Sequence, residues 1–287
     1  MILDAHHHLW DPSTAEYPWL TDELAVIRRR FTPEDLAPLL LAADVKGTVL
    51  VQTRSSLEET REFLATAAET PFIRGVIGWV DLTDPDVADV LAMLREGPGG
   101  ELLVGIRHQV HDEPDPDWLS RRDVRRGISK VAEAGLVYDL LVRSRELPAA
   151  RSLAASMPDA RFVIDHLAKP PIREGSFEPW AALVADWAVL ANTSWKFSGL
   201  VTEADWAGWT RDDLAPYVDY ALDILGPGRM MFGSDWPVCL LAATYTDVVE
   251  TAVALTGALS VDERDAVLSA NATRIYRLGS GGVGLEV

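Results

Sequence analysis

Ile2-Leu3-Asp4-Ala5-His6-His7-His8-Leu9-Trp10 opens the chain as a short apolar strand that runs straight into three histidines. A strand points alternate side chains the same way, so His6 and His8 project together from its end as a ready pair of imidazoles, while His7 points away. Two distant stretches repeat the arrangement. Arg161-Phe162-Val163-Ile164 leads into Asp165-His166, and Met230-Met231-Phe232-Gly233-Ser234 leads into Asp235. Three strand ends thus offer two histidines, one histidine and one carboxylate.

Between these strands the chain alternates short runs rich in Val, Ile and Leu with longer stretches of helical spacing. The pattern predicts strands at Ile2–His6, Gly47–Gln52, Ile73–Val80, Leu102–Arg107, Leu136–Val142, Arg161–His166, Ser194–Ser198 and Met230–Ser234. Helices are predicted at Pro33–Asp44, with Thr32 as cap, and at Ser56–Glu69, Asp86–Glu96, Arg121–Ala134, Ser144–Met157, Phe177–Ala191 and Asp212–Leu225. A helical stretch at Tyr245–Leu255 and a last helix at Asp262–Tyr276 follow the eighth strand. Eightfold alternation in a chain of 287 residues reads as one α/β domain, a (β/α)8 TIM barrel over residues 1–278. Gly279-Ser280-Gly281-Gly282 begins a tail of flexible composition over 279–287.

Composition narrows the function. A formal net charge of −18, with only four lysines, excludes the clustered cations that phosphate contact needs, so no nucleic-acid partner is expected. No apolar run approaches the ~20 residues of a membrane span, and the N-terminus lacks the basic start and apolar stretch of a signal peptide; a cytoplasmic protein is expected. The one cysteine, Cys239, rules out an internal disulfide and a cysteine-based zinc site and reads as buried filler. Association into a homo-oligomer is left open.

In a barrel of this kind chemistry sits at the carboxyl ends of the strands. His6, Arg107, His166, Ser198 and Asp235 all stand at that edge, and closure makes the first and eighth strands neighbours. Arg107 shares a face with Gln109, Lys196 shares one with Ser198, and Gln52 and Arg54 end the second strand. The segment Trp10–Arg30, far longer than the usual ~2 to 6 residues of a connection, carries Pro12, Tyr17, Pro18 and Trp19 and reads either as an ordered lid or as a packing loop on the rim. Arg107, Lys169 and Lys196 each have a second reading as members of structural ion pairs.

The motifs Asp4-Ala5-His6-His7-His8-Leu9-Trp10-Asp11, Gly105-Ile106-Arg107-His108, Asp165-His166-Leu167-Ala168-Lys169-Pro170, Lys196-Phe197-Ser198-Gly199-Leu200 and Phe232-Gly233-Ser234-Asp235-Trp236-Pro237-Val238 occur in that order along nearly the whole chain. Together they resemble the lactonase branch of the amidohydrolase superfamily, TIM-barrel hydrolases that open lactone rings. The resemblance implies an active centre of His6, His8, His166 and Asp235, which together could hold a single divalent ion, zinc by ligand type, or act with no metal. The dinuclear members add a carboxylated lysine on the fourth strand and a histidine on the fifth. Here Ile106-Arg107-His108 and Tyr138-Asp139-Leu140-Leu141 stand instead, so a two-metal centre is not expected.

By role, Asp235 would be the general base for water, and His6, His8 and His166 would polarise the ester carbonyl. Arg107, Gln52, Arg54, Lys196, Ser198, Trp19 and Trp236 would contact the substrate, with Arg107 gripping a carboxylate or the hydroxyls of a sugar. The implied partner is a small-molecule lactone of a sugar acid, of the L-fucono or L-rhamnono type. Alternative readings are a metal-dependent decarboxylase, another carboxylic ester hydrolase on the same barrel, or a barrel that binds a ligand without turning it over.

Overall fold

The computed structural model describes residues 1–279; the segment 280–287, where the sequence predicts most of a flexible tail, lies outside the described residues. The eight predicted strands are all present: β1 Ile2–His7, β2 Val45–Val51, β3 Ile73–Gly78, β4 Leu103–His108, β5 Val137–Leu140, β6 Arg161–Ile164, β7 Thr193–Phe197 and β8 Met230–Phe232. They form one sheet in sequence order, every neighbouring pair parallel. Strand β1 also meets the end of β8. The His8 amide donates to the Trp236 carbonyl (2.6 Å), the Asp235 amide to the His6 carbonyl (2.8 Å) and the Ser234 amide to Asp4 Oδ1 (2.7 Å). The barrel is a nearly closed (β/α)8 structure, and the seam that closes it is built from the segments that carry the candidate site.

Helices separate the strands, and short polar residues start several of them. The Thr32 amide donates to Asp35 Oδ2 ahead of helix 33–42, Ser56 Oγ accepts the Glu59 amide at the start of 57–69, and Asp247 closes the same kind of box with Thr244 ahead of 245–255. The inner core is small and aliphatic, with Leu3, Val49, Ile77, Val137, Val163 and Met231 buried at the barrel axis and capped from below by Ile275 and Tyr276 of the last helical run.

Several boundaries differ from the predicted ones by two residues or more, and three of these differences have a clear local cause. Strand β3 stops at Gly78, because Thr60 Oγ1 takes the Trp79 amide and donates back to the Trp79 carbonyl, removing both groups from the ladder. The helix predicted at 177–191 is confined to 180–185, since Pro179 disfavours helical backbone at Glu178 and the chain turns again before the buried Trp187. Strand β6 ends at Ile164: four successive residues, His166 to Lys169, adopt positive φ between 50° and 58° and swing the chain across the barrel mouth.

Candidate active site

His6 and His8 do project together. Their Nε2 atoms lie 3.1 Å apart, and Asp235 Oδ1, arriving from the end of β8, lies 3.3 Å from His8 Nε2 and 3.7 Å from His6 Nε2. His8 is oriented by the Val51 carbonyl, 2.7 Å from its Nδ1; a carbonyl only accepts, so the proton sits on Nδ1 and Nε2 presents its lone pair. His166 is held by Ser198 Oγ, 2.9 Å from its Nδ1. Its ring centre is 4.5 Å from that of His6. Asp235 itself has φ of 58°, a backbone state that non-glycine residues adopt only where their surroundings enforce it.

Beneath this cluster lies a buried charge network. Lys196 Nζ donates to Asp139 Oδ2 (2.6 Å), lies 3.0 Å from Asp165 Oδ1 and reaches His6 Nδ1 at 3.1 Å. Arg107 donates to Asp165 Oδ2 (2.9 Å) and to both the side-chain and backbone oxygens of Gln52. Two cations and two carboxylates thus balance one another out of water, which buried ion pairs require. Burial holds the His6 imidazole well below its ordinary range, and the ammonium of Lys196 adds to this. Burial likewise lowers His166 to about 4. For Asp235 burial acts upward, but His166, His8 and His6 outweigh it and keep the carboxyl well below the usual carboxylate range. At neutral pH the site therefore presents an ionised carboxylate beside uncharged imidazoles.

A cavity of about 280 Å³ opens onto these groups. His8, Arg107, His166 and Asp235 form its floor, and Trp19 and Leu24 of the segment after β1 reach over it. Its polar wall is made of Thr53, Gln109, His111, Asp112, Arg143 and Lys169, with Leu141 and Val238 as apolar patches. Five residues predicted to contact substrate do not line it. Lys196 is fully buried one layer down, its ammonium spent on Asp139, Asp165 and His6, as its alternative reading as an ion-pair member allowed. Gln52 is equally buried and spent on Arg107, and Ser198 stands behind His166. Trp236 packs edge-on against Phe31, its indole buried. Arg54 is drawn away to Glu59 and lies over the Tyr17 ring. Arg107 does reach the cavity, but its N–H groups are already engaged by Gln52 and Asp165, so it stiffens the floor more than it offers a free fork.

Gln109, His111, Asp112, Arg143 and Lys169 were outside the predicted set. All follow within a few residues of the ends of β4, β5 and β6, which was the available signal. His111 pairs with Asp112 at 3.1 Å and lines the cavity, whereas His108 stacks on Trp118 (ring centres 4.3 Å apart) and is tied to Trp79 and Glu113 away from it.

The predicted four-ligand set divides. His6, His8 and Asp235 converge as one group able to hold an ion, while His166 falls with His6 and Asp165 in a second. In the second group Asp165 is already neutralised by Lys196 and Arg107, which weakens its pull on a further cation. The first group fits a cation. Ligands at ~2.0 to 2.1 Å around a tetrahedral zinc stand roughly 3.3 Å apart, and these three atoms are 3.1 to 3.7 Å apart with two lone-pair acceptors, His8 Nε2 and Asp235 Oδ1, facing each other.

Comparison with known proteins identifies the family and the fold. Residues 3–278 match the family described as amidohydrolase. A protein named L-fucono-1,5-lactonase from Burkholderia multivorans is 37% identical, with 96% of each chain covered. A crystal structure of an amidohydrolase from the same species, with bound zinc, superposes with a TM-score of 0.92 at 36% identity, covering 97% of this chain and all of that one. A putative 2-pyrone-4,6-dicarboxylic acid hydrolase from Pseudomonas putida, 22% identical with a TM-score of 0.75 over 96% of this chain and 97% of its own, shares the fold. The chain belongs to the amidohydrolase family of hydrolytic enzymes.

Proposed function

We propose that the enzyme opens the ring of a sugar-acid lactone, of the L-fucono or a related type, by attack of water on the ester carbonyl with Asp235 as general base. The observation that carries this reading is the convergence of the ionised Asp235 carboxylate with His8 and His166 on the floor of one cavity, backed by a full-length relative named as a lactonase. Asp235 accepts the proton of the attacking water and returns it to the ring oxygen as the acyl bond breaks. A carboxylate held this low is a weak base, so the carbonyl must be strongly polarised for the attack to proceed. His166 faces the same space, and an N–H donated by its imidazole stabilises the developing oxyanion. The wall of Gln109, His111, Asp112, Arg143 and Lys169 offers the mixed donors and acceptors that a polyhydroxylated ring satisfies, and Trp19 and Leu24 exclude water above it.

A single divalent ion, zinc by the chemistry of the donors, would be held by His6, His8 and Asp235 and would supply Lewis acidity to the carbonyl oxygen. In the relative's structure with bound zinc such an ion is compatible with the same fold.

The test is a screen of aldonolactones with a pH indicator, with and without chelator, on the wild type and on Asp235→Asn. Acid release from a six-carbon or 6-deoxy aldonolactone is expected for the wild type. Asp235→Asn should lose roughly 10³-fold or more in kcat while retaining ligand binding. Absence of lactone hydrolysis in the wild type, or undiminished turnover in the variant, overturns the reading.

A further inference from the structure

His6 is placed so that each of its ring nitrogens lies between a hydrogen-bond donor and an acceptor. Nδ1 is 3.1 Å from Lys196 Nζ and 3.4 Å from Asp165 Oδ1. Nε2 is 3.1 Å from His8 Nε2, 3.3 Å from Arg107 Nη1 and 3.7 Å from Asp235 Oδ1. A neutral imidazole carries one N–H, so these contacts cannot all be satisfied at once, and two arrangements are self-consistent.

With nothing between the two histidines, His8 offers a lone pair at Nε2, because its proton is given to the Val51 carbonyl. His6 then carries its proton on Nε2, aimed at His8 and the cavity floor, and Nδ1 accepts from the Lys196 ammonium. With a cation among His6 Nε2, His8 Nε2 and Asp235 Oδ1, the proton must leave Nε2. It then sits on Nδ1 and points at Asp165 Oδ1. That oxygen is buried and ion-paired with the Lys196 ammonium at 3.0 Å but receives no well-aligned hydrogen bond, whereas its partner Oδ2 is bonded to Arg107. The ion pair compensates its charge, and a directed N–H from His6 Nδ1 would add the hydrogen bond that this oxygen lacks. The Lys196 ammonium keeps Asp139 Oδ2 in both arrangements.

We propose that Lys196 and Asp165 are positioning residues that hold the two alternative tautomers of His6. Lys196 supports the tautomer whose Nε2–H donates to His8 Nε2 under the cavity floor, and Asp165 supports the tautomer whose bare Nε2 binds a divalent ion. The ring keeps one proton throughout, so loading the ion moves that proton and does not release it. The same cluster is thereby equipped to act with or without an ion. This rests on the reading of the cluster as the reaction centre, but the measurement does not depend on the substrate.

The experiment is long-range proton–nitrogen correlation NMR on the full chain with ¹⁵N-labelled histidine, the His6 signals being assigned by their loss in His6→Gln. Chelator-treated wild type is expected to show the proton on Nε2, and the zinc-saturated protein to show it on Nδ1. Lys196→Met should show the Nδ1–H tautomer even when chelated. It should bind zinc roughly tenfold more tightly, because the competing tautomer no longer depletes the binding-competent one. If that variant does not fold, the two wild-type spectra decide alone. An Nδ1 proton in the chelated wild type, the same tautomer in both states, or failure to bind zinc overturns the proposal. A lactone screen that fails leaves these spectra as they are, and unchanged spectra leave a measured lactonase intact.

Discussion

The least tolerant residue around the site bears no functional group. Gly199 has φ of +62°, and a Cβ built on it would lie 2.5 Å from His166 Nδ1 and 3.0 Å from Asp235 Oδ2. A methyl there must push His166 off Ser198, whose hydroxyl fixes the ring. Gly199→Ala is expected to lower kcat roughly 100-fold, the cost of displacing a reacting group by about an ångström, and to retain a cooperative thermal transition. Steady-state kinetics beside a thermal melt check this, and wild-type turnover in the variant would refute it. The residues that do bear chemistry were unevenly legible in the sequence. Strand alternation gives the face a side chain takes, and so His6, His8, His166 and Asp235 could be placed together. It does not give depth. Lys196 and Ser198 share a face of β7, yet one lies fully buried under His6 and the other at the rim behind His166. In a barrel filled by stacked layers of side chains, two residues along a strand separate a contact with substrate from a group that only supports one.

Among the elements, the strands were legible because each is a short apolar run between breakers, and their order needs only the parallel rule. The left-handed run from His166 to Lys169 was not, since it contains neither Gly nor Asn, the residues that announce positive φ. Its conformation is imposed from outside: Leu167 and Ala168 are buried, and the Trp180 indole donates to the Leu167 carbonyl at 2.7 Å. The segment between β1 and the first helix was legible as an anomaly of length and aromatic content. In the structure its Trp19 indole donates to the Thr53 carbonyl (3.0 Å), stacks edge-on with Trp10 (ring centres 5.1 Å apart) and lines the cavity. Residues 22–27 form a short 3-10 turn, and we propose that the segment acts as a cover. Trp19→Ala removes apolar surface from above the ligand and leaves the floor untouched. The expected outcome is a KM raised about 10- to 100-fold with kcat within a few-fold of wild type. A KM that does not move shows that the segment packs the rim without touching substrate.

At the scale of the whole molecule, the buried ionisable groups fix how stability responds to acid. His6, His7 and His166 are buried, and desolvation holds all three down, His7 to about 3 and His166 to about 4. As pH falls from 6.5 towards 4, the unfolded chain protonates these imidazoles and the folded chain does not, so each costs stability over that interval. Asp4 and Asp139 act in the opposite sense. Burial raises each to about 6, so the folded chain takes up protons there while the unfolded carboxyls, near 3.8, stay ionised. With His108 also held down and Glu59 also raised by burial, four imidazoles that gain a proton on unfolding stand against three carboxyls that give one up, so stability falls as the pH drops from about 6 towards 4. Below that interval Asp165 and Asp235, both depressed in the folded chain, begin to lose their contribution and the decline steepens. Urea unfolding at pH 6.5, 5.5 and 4.5, in salt high enough to screen the net charge of −18, measures the slope. Asp4→Asn removes one of the three opposing groups and should steepen it. A stability that is level or rises on acidification, or a slope that Asp4→Asn leaves unchanged, would mean that the imidazoles are charged in the folded protein, in conflict with the neutral cluster on which the proposed chemistry relies.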